Sequence, residues 1–250
     1  MKTKCIVSAK KKTKDKKEKT TPDLITVILL CDSSGYRMKS YGPVSLVTIN
    51  DIKLIDLQIQ CIRNVFENFE IILCVGFDAE KICKYIRSEH GDKRIRIVEN
   101  QLHNVSNSCE SLRLSLNNTT NNKVVVCDGN LILNEECLRS IDTDCSCVLI
   151  EEDPCENLEI GLNIDDKKIV QHLSYGANNT WSEIFFLNGL EIIESLRKIV
   201  TKYDSKTRFV FESINELIKM KYEVKSMSNK NKVIKINNIK MYHSIKGNNV

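Results

Sequence analysis

The sequence predicts an α/β fold built on a parallel sheet, and three observations carry that prediction. Short aliphatic runs at Leu24–Cys31, Glu70–Val75, Arg94–Glu99 and Lys123–Cys127 read as buried strands. The segments between them change to a three- and four-residue apolar period, as helices that cover a sheet require. The chain has 250 residues, is 42% hydrophobic and holds only three prolines and nine glycines, which suits one substantial core better than a linker-rich array.

In chain order, the first strand runs through Ile25, Thr26, Val27, Ile28 and Leu29 into the small, polar stretch Asp32-Ser33-Ser34-Gly35. Ile52, Ile55, Ile59, Ile62 and Phe66 then mark an amphipathic helix over 51–66, with Asn50 or Asp51 as its natural cap. Asp78 is placed to cap a helix reaching about Arg87, and a polar stretch over 100–107 leads into a helix bearing Leu112, Leu114 and Leu116. The very apolar Lys123–Cys127 strand ends at Asp128. Ligand crevices of parallel sheets lie at the carboxyl ends of the strands, and each polar motif sits at such an end.

The second half changes character. Cys145–Glu151, Leu158–Ile164, Lys168–Leu173 and Trp181–Leu187 read as antiparallel additions that extend the sheet and wall one side of the crevice. Helices over 189–203 and 207–221, strands over 222–227 and 233–236 and a terminal helix complete the domain.

Charge divides the chain at a boundary near residue 21, giving a tail over 1–21 and a domain over 22–250. The first twenty residues hold nine lysines against Asp15 and Glu18, whereas the remainder carries 28 basic and 31 acidic residues, so the basicity belongs to the tail. With no apolar face the tail is expected to be disordered, either a solubilising extension or a contact for an acidic partner. It lacks the pattern of a secretory signal, and no apolar run approaches the length of a membrane span. Eleven cysteines scattered through strand-like segments read as reduced core thiols of a cytoplasmic protein. His90, His103, His172 and His243 form no triad or metal pattern.

Three further motifs follow the first loop. Ser106-Asn107-Ser108 heads a helix, where hydroxyls and amides can meet a base or phosphate or simply cap the helix. Val126-Cys127-Asp128-Gly129-Asn130 ends a strand with a carboxylate. Val233-Ile234-Lys235-Ile236-Asn237 lies close to the carboxyl terminus.

The first loop resembles the signature of the nucleotidyltransferases that join a nucleoside triphosphate to a sugar phosphate, phosphocholine or a molybdopterin-type acceptor. Their pattern is Leu-Ala-Ala-Gly-x-Gly-x-Arg-Met, four residues, then Pro-Lys. Leu30, Gly35, Arg37, Met38 and Pro43 match it in register; Cys31 and Asp32 stand for the alanines, Ser33 for the first glycine and Val44 for the lysine. The resemblance implies a three-layer, Rossmann-like (GT-A or nucleotidyltransferase-like) α/β domain with a central, mostly parallel mixed sheet. It further implies a nucleotide or nucleotide-sugar site at Leu30, Cys31, Asp32, Ser33, Ser34, Gly35, Ser106, Asn107 and Ser108, with Arg37 and Asp128 as catalytic groups and Mg²⁺ as cofactor of an active enzyme.

Two registers are open for the metal carboxylate. In the sugar and choline branch Gly129 aligns with the family glycine and Asn130 replaces the aspartate; in the molybdenum-cofactor, MobA-like branch Asp128 is itself the aspartate. Asn237 replaces the second metal aspartate, and Lys235 a nearby glutamate. With Val44, Asn130 and Asn237 altered together, the first expectation is a nucleotide-binding pseudoenzyme or weakened enzyme. The second is an active transferase in which Asp128, helped by Asp32, holds the metal and Lys39 reaches the phosphates. The third is an interaction module with a vestigial crevice.

Overall fold

Why the chain builds one mixed sheet is visible in its first strand, β1 (Ile25–Cys31), in which every residue is buried. Val27, Leu29 and Cys31 face one hydrophobic cluster and Ile28 and Leu30 the other, the two-residue alternation of a strand covered on both sides. The computed structural model describes residues 23–91, 93–156, 158–229 and 231–247. The lysine-rich tail expected over 1–21 lies outside the described residues.

β1 is followed by a short hairpin, β2 (Thr48–Ile49) and β3 (Ile52–Lys53), then by α1 (Leu54–Val65), β4 (Phe69–Val75), α2 (Ala79–Glu89) and β5 (Ile95–Glu99). Next come α3 (Ser108–Leu116), β6 (Lys123–Asp128), β7 (Leu131–Ile132) and α4 (Glu135–Arg139). The second half supplies β8 (Cys147–Pro154), β9 (Ile160–Ile164), β10 (Val170–Tyr175), β11 (Asn179–Asn188), α5 (Leu190–Val200), α6 (Val210–Lys219), β12 (Lys225–Asn229), β13 (Ile234–Lys235) and α7 (Ile239–Gly247).

The main sheet runs β5-β4-β1-β6-β11, with β4, β1, β6 and β5 parallel and β11 antiparallel to β6. Beyond β11 the sheet forks, one branch through β9 to β10 and the other through β8 to β12. The four second-half strands read as antiparallel additions do add antiparallel, and β12 closes its branch parallel to β8. Helices α1, α2 and α4 cover one face and α3, α5 and α6 the other, giving the expected three layers.

The expected cap of the first helix is corrected by the hairpin. Asn50 (φ 47°) and Asp51 (φ 65°) are both left-handed and form its two-residue turn, the mirror-image geometry that suits twisted strands. Helix α1 therefore begins only at Leu54, preceded by Lys53 with no side-chain cap. Asp78, also left-handed, precedes α2 without capping it and instead pairs with Lys81 at 2.6 Å.

A third, smaller cluster matters most for the site. Met38, Val44, Val47 and Ile49 from the segment after β1 pack with Leu54, Ile236, Tyr242 and Ile245. This apolar clamp fixes the carboxyl-terminal segment beside the first loop. Backbone bonds complete the join: Tyr36 N donates to Asn237 O (2.9 Å) and Ile236 N to Asn130 O (2.9 Å).

Candidate functional site

At the carboxyl ends of β1 and β6 the chain encloses a cavity of about 390 Å³. Its lining includes Leu30, Cys31, Asp32 and Ser33 from the first loop, Ser106, Asn107 and Ser108, the turn Asp128-Gly129-Asn130, and Glu183, Lys235 and Asn237. The structure thus brings four separated motifs to one crevice. Ser34, Gly35 and Arg37 are not among the lining residues.

The first loop is held by close packing. Gly35 has φ 69°, and a Cβ there would meet Val44 Cγ2 at 2.9 Å and Met38 Sδ at 3.1 Å, so both backbone conformation and space demand glycine. Ser33 Oγ accepts a hydrogen bond from Gly35 N (3.3 Å), a local turn contact. Arg37 is exposed, with its guanidinium 5.0 Å from the centroid of the Tyr36 ring. Lys39 is exposed and Val44 is buried in the apolar clamp.

Asp32 is oriented by a chain of polar groups that starts at the end of β5. Asn100, fully buried, donates through Nδ2 to Ser111 Oγ (2.8 Å) and Ser106 Oγ (3.1 Å), and Ser111 Oγ donates to Asp32 Oδ2 (2.6 Å). The hydroxyls at the head of α3 serve other loops rather than capping. Ser106 Oγ donates to Leu102 O, Ser108 Oγ accepts from Val210 N at 3.0 Å, and Asn107 precedes α3 without a side-chain cap bond. Asn107 Nδ2 donates to Thr207 O, which ties the helix head to the turn before α6.

The opposite wall is set by the end of β6. Gly129 N donates to Leu30 O (2.9 Å), and a Cβ on Gly129 would lie 2.6 Å from Cys31 Sγ and 2.7 Å from Leu30 O. Gln58, buried in α1, reaches the same turn through Nε2 to Leu131 O (2.8 Å). Glycine and glutamine together fix where Asp128 and Asn130 point.

Glu183 is a member of this wall that the sequence reading missed. β11 pairs Ile184 with Cys127, then loses register between Trp181 and Phe185, and Glu183 in that bulge has φ 57°. Bulges re-aim side chains. This one brings Glu183 close enough to Asp128 for its carboxylate to raise the Asp128 carboxyl. The available signal was a carboxylate inside the otherwise apolar run Trp181–Leu187.

Electrostatics at this wall follow from burial. Removal from water pushes the Asp128 carboxyl well above the usual carboxylate range, the Glu183 charge adds to the rise, and Lys235 opposes it. Lys235 Nζ forms an ion pair with Glu183, their side chains 20% and 15% exposed. Nearby, Asn130 Nδ2 donates to Asn237 Oδ1 at 2.7 Å, while Asn130 Oδ1 is buried without a hydrogen-bond partner.

These residues do not fit a divalent cation of the magnesium type. Such ions take oxygen ligands, carboxylates completed by carbonyls and waters, and here Asn237 Oδ1 is occupied by an amide donor and the Lys235 ammonium pairs with Glu183 beside the buried Asp128. Two carboxylates facing one another at about 4 Å would repel by about 4 kcal/mol at an effective dielectric near 20, which a metal would relieve. An amide pair incurs no such repulsion. Among the described residues, no three His, Cys, Asp or Glu side chains are grouped to hold a metal ion. No helix among them is long and apolar enough to cross a membrane, and their cysteines are free thiols.

No family model and no curated protein matches the chain by sequence. Solved structures do match it by shape. The CTP:phosphocholine cytidylyltransferase of Streptococcus pneumoniae is 20% identical with a TM-score of 0.72, covering 89% of this chain and 98% of that one. A UDP-glucose pyrophosphorylase complexed with UDP-glucose is 12% identical with a TM-score of 0.71, covering 90% and 97%. The inositol-1-phosphate CTP transferase of T. maritima is 13% identical with a TM-score of 0.69, covering 89% and 94%. The layers, the forked sheet and the crevice at the ends of β1 and β6 thus give this chain the nucleotidyltransferase fold, with the three-layer α/β architecture that its first loop implied.

Proposed function

We propose that the protein binds a nucleotide or nucleotide conjugate in this crevice and has weak or no nucleotidyl transfer activity, acting through binding or assembly. The observation that carries the reading is the Asn130–Asn237 amide pair, at the two positions where the resemblance in its sugar and choline register calls for metal carboxylates. Val44 supports it from the other side, because a buried aliphatic chain cannot neutralise phosphate.

The shape of the crevice favours retained binding. A loop held by Gly35, a turn held by Gly129 and Gln58, and an oriented Asp32 are features that a disused cavity has no reason to keep. The test is pyrophosphate release, with magnesium and a panel of nucleoside triphosphates paired with sugar phosphates or phosphocholine. The expected result is no turnover above background. Sustained turnover abolished by Asp128→Ala would overturn the reading in favour of an active enzyme that uses Asp128.

A further inference from the structure

We infer that the face formed by the segment after β1 and by helix α7 is a docking surface for single-stranded RNA, its exposed rings stacking on bases and its cations meeting phosphates. Tyr36, Arg37, Lys39, Tyr41, Lys240 and Lys246 are not among the residues that line the crevice. They form a separate surface.

Charge sets this face apart from the rest of the domain. No Asp or Glu occurs over 33–50 or over 231–247, although acidic residues outnumber basic ones beyond the first twenty positions. Lys232 and Lys235 pair with Asp153 and Glu183, whereas Arg37, Lys39, Lys240 and Lys246 are exposed and form no ion pair among the described residues. Of the acids that bound the first segment, Asp32 lines the crevice and Asp51 sits in the hairpin turn.

Contacts join the two segments into one surface. Tyr36 forms an isolated parallel bridge with Asn238, and Tyr41 meets the Tyr242 ring at 5.5 Å between centroids and His243 at 3.3 Å from Oη to Nε2. Lys246 Nζ lies 5.6 Å from the centroid of the same Tyr242 ring. The apolar clamp beneath, with Met38, Val44, Ile236 and Ile245, holds both segments in place.

Aromatic exposure then selects the partner. Tyr36 is 65% and Tyr41 43% exposed, and the Arg37 guanidinium stands 5.0 Å from the centroid of the Tyr36 ring. Arg37 holds a left-handed backbone (φ 59°), uncommon outside glycine and found at functional surfaces. Unpaired bases stack on such rings and on guanidinium planes, while phosphates meet the cations. An acidic protein or a membrane offers charge without bases, and a duplex hides its base faces. Ser40, His243 and Ser244, exposed and interspersed with the cations in sequence, offer hydrogen-bonding partners to the 2′-hydroxyl that distinguishes RNA from DNA.

The experiment is fluorescence anisotropy of the full chain with oligouridylate and oligothymidylate of about twelve residues, an RNA duplex of the same length, and labelled heparin, with sedimentation of phosphatidylserine vesicles alongside. Oligouridylate should bind more tightly than oligothymidylate or the duplex. Tyr36→Ala should weaken oligouridylate binding on the order of tenfold, with heparin binding and melting temperature unchanged, and Tyr36→Phe should restore it. Lys39→Gln combined with Lys240→Gln should lower the slope of log affinity against log salt by about 1.4, two phosphate contacts at about 0.7 each. Absence of oligouridylate binding would overturn the inference. So would binding that Tyr36→Ala leaves unchanged, which would assign the affinity to charge alone, the lysines of residues 1–20 included. Equal or tighter binding of oligothymidylate would overturn the assignment to RNA, and vesicle binding lost in the lysine variant while oligouridylate binding persists would make the face a membrane contact instead.

Discussion

The two walls of the crevice differ in what holds them. The wall made by the first loop depends on backbone and space: Gly35 with φ 69°, Met38 and Val44 packed beneath it, and Tyr36 N bonded to Asn237 O. The wall made by the end of β6, β11 and β13 depends on charge and amide chemistry: Asp128 on Glu183, Glu183 on Lys235, and Asn130 on Asn237. The difference teaches that shape and charge can separate. The first wall is fixed by backbone and packing, whereas the second is fixed by polar and charged pairs and leaves Asn130 Oδ1 without a partner.

Substitutions break or sharpen this comparison in order of size. Gly129→Val should be the most damaging, because its Cβ falls inside contact distance of Cys31 and Leu30 O where the walls meet. Denaturant unfolding should show a loss of about 3 kcal/mol or more. A loss below about 1 kcal/mol would mean that the junction is not close-packed. Val44→Lys, which introduces the lysine that the resemblance of the first loop calls for, should cost about 2 kcal/mol through lost burial in the clamp and bring no transfer activity. Recovery of turnover would show the second wall competent after all.

The third test is pH dependence. The Asp128 carboxyl is raised in the folded protein, so its favourable contribution is complete below the ordinary carboxylate value of about 4 and is lost as pH rises through the raised folded value. Asp128→Asn should therefore gain stability relative to wild type between acid and neutral pH, by about 1 kcal/mol or more. Melting temperatures of both proteins across pH measure it; a difference that stays flat or shrinks would contradict the burial and pairing of this carboxyl. Arg37→Ala should have the smallest effect, about 0.5 kcal/mol from the exposed contact with Tyr36. Nucleotide titration should change little, and a large loss of affinity would place Arg37 in the site.

Periodicity made the frame legible. Alternation in β1 and the spacing of Ile55, Ile59 and Ile62 identify a strand and helix from local pattern alone, and each became part of the core. The Asn50-Asp51 turn was misread because asparagine and aspartate favour both caps and left-handed turns, and only pairing of Ile49 with Ile52 selects the turn. The site divides in the same way. Asp128, Asn130, Asn237 and residues 30–33 of the first loop line the crevice as expected because they end strands or fit a spaced motif, whereas Ser34, Gly35 and Arg37 do not line it. Glu183 was not, since its role depends on a bulge in β11 and on a partner 55 positions away in β6. The Asn100–Ser111–Asp32 chain likewise joins three elements through contacts that no local window contains.

The proposed reading is that the crevice receives a nucleotide while the end of β6 holds no metal ion. The most direct measurement is a crystal structure with UDP-glucose, grown in manganese and recorded at a wavelength that locates the ion by anomalous scattering. The proposed reading predicts the nucleotide in the crevice beside the first loop and no ion at Asn130 and Asn237. A manganese ion bridging the phosphates to Asp128, Asn130 or Asn237 would contradict it.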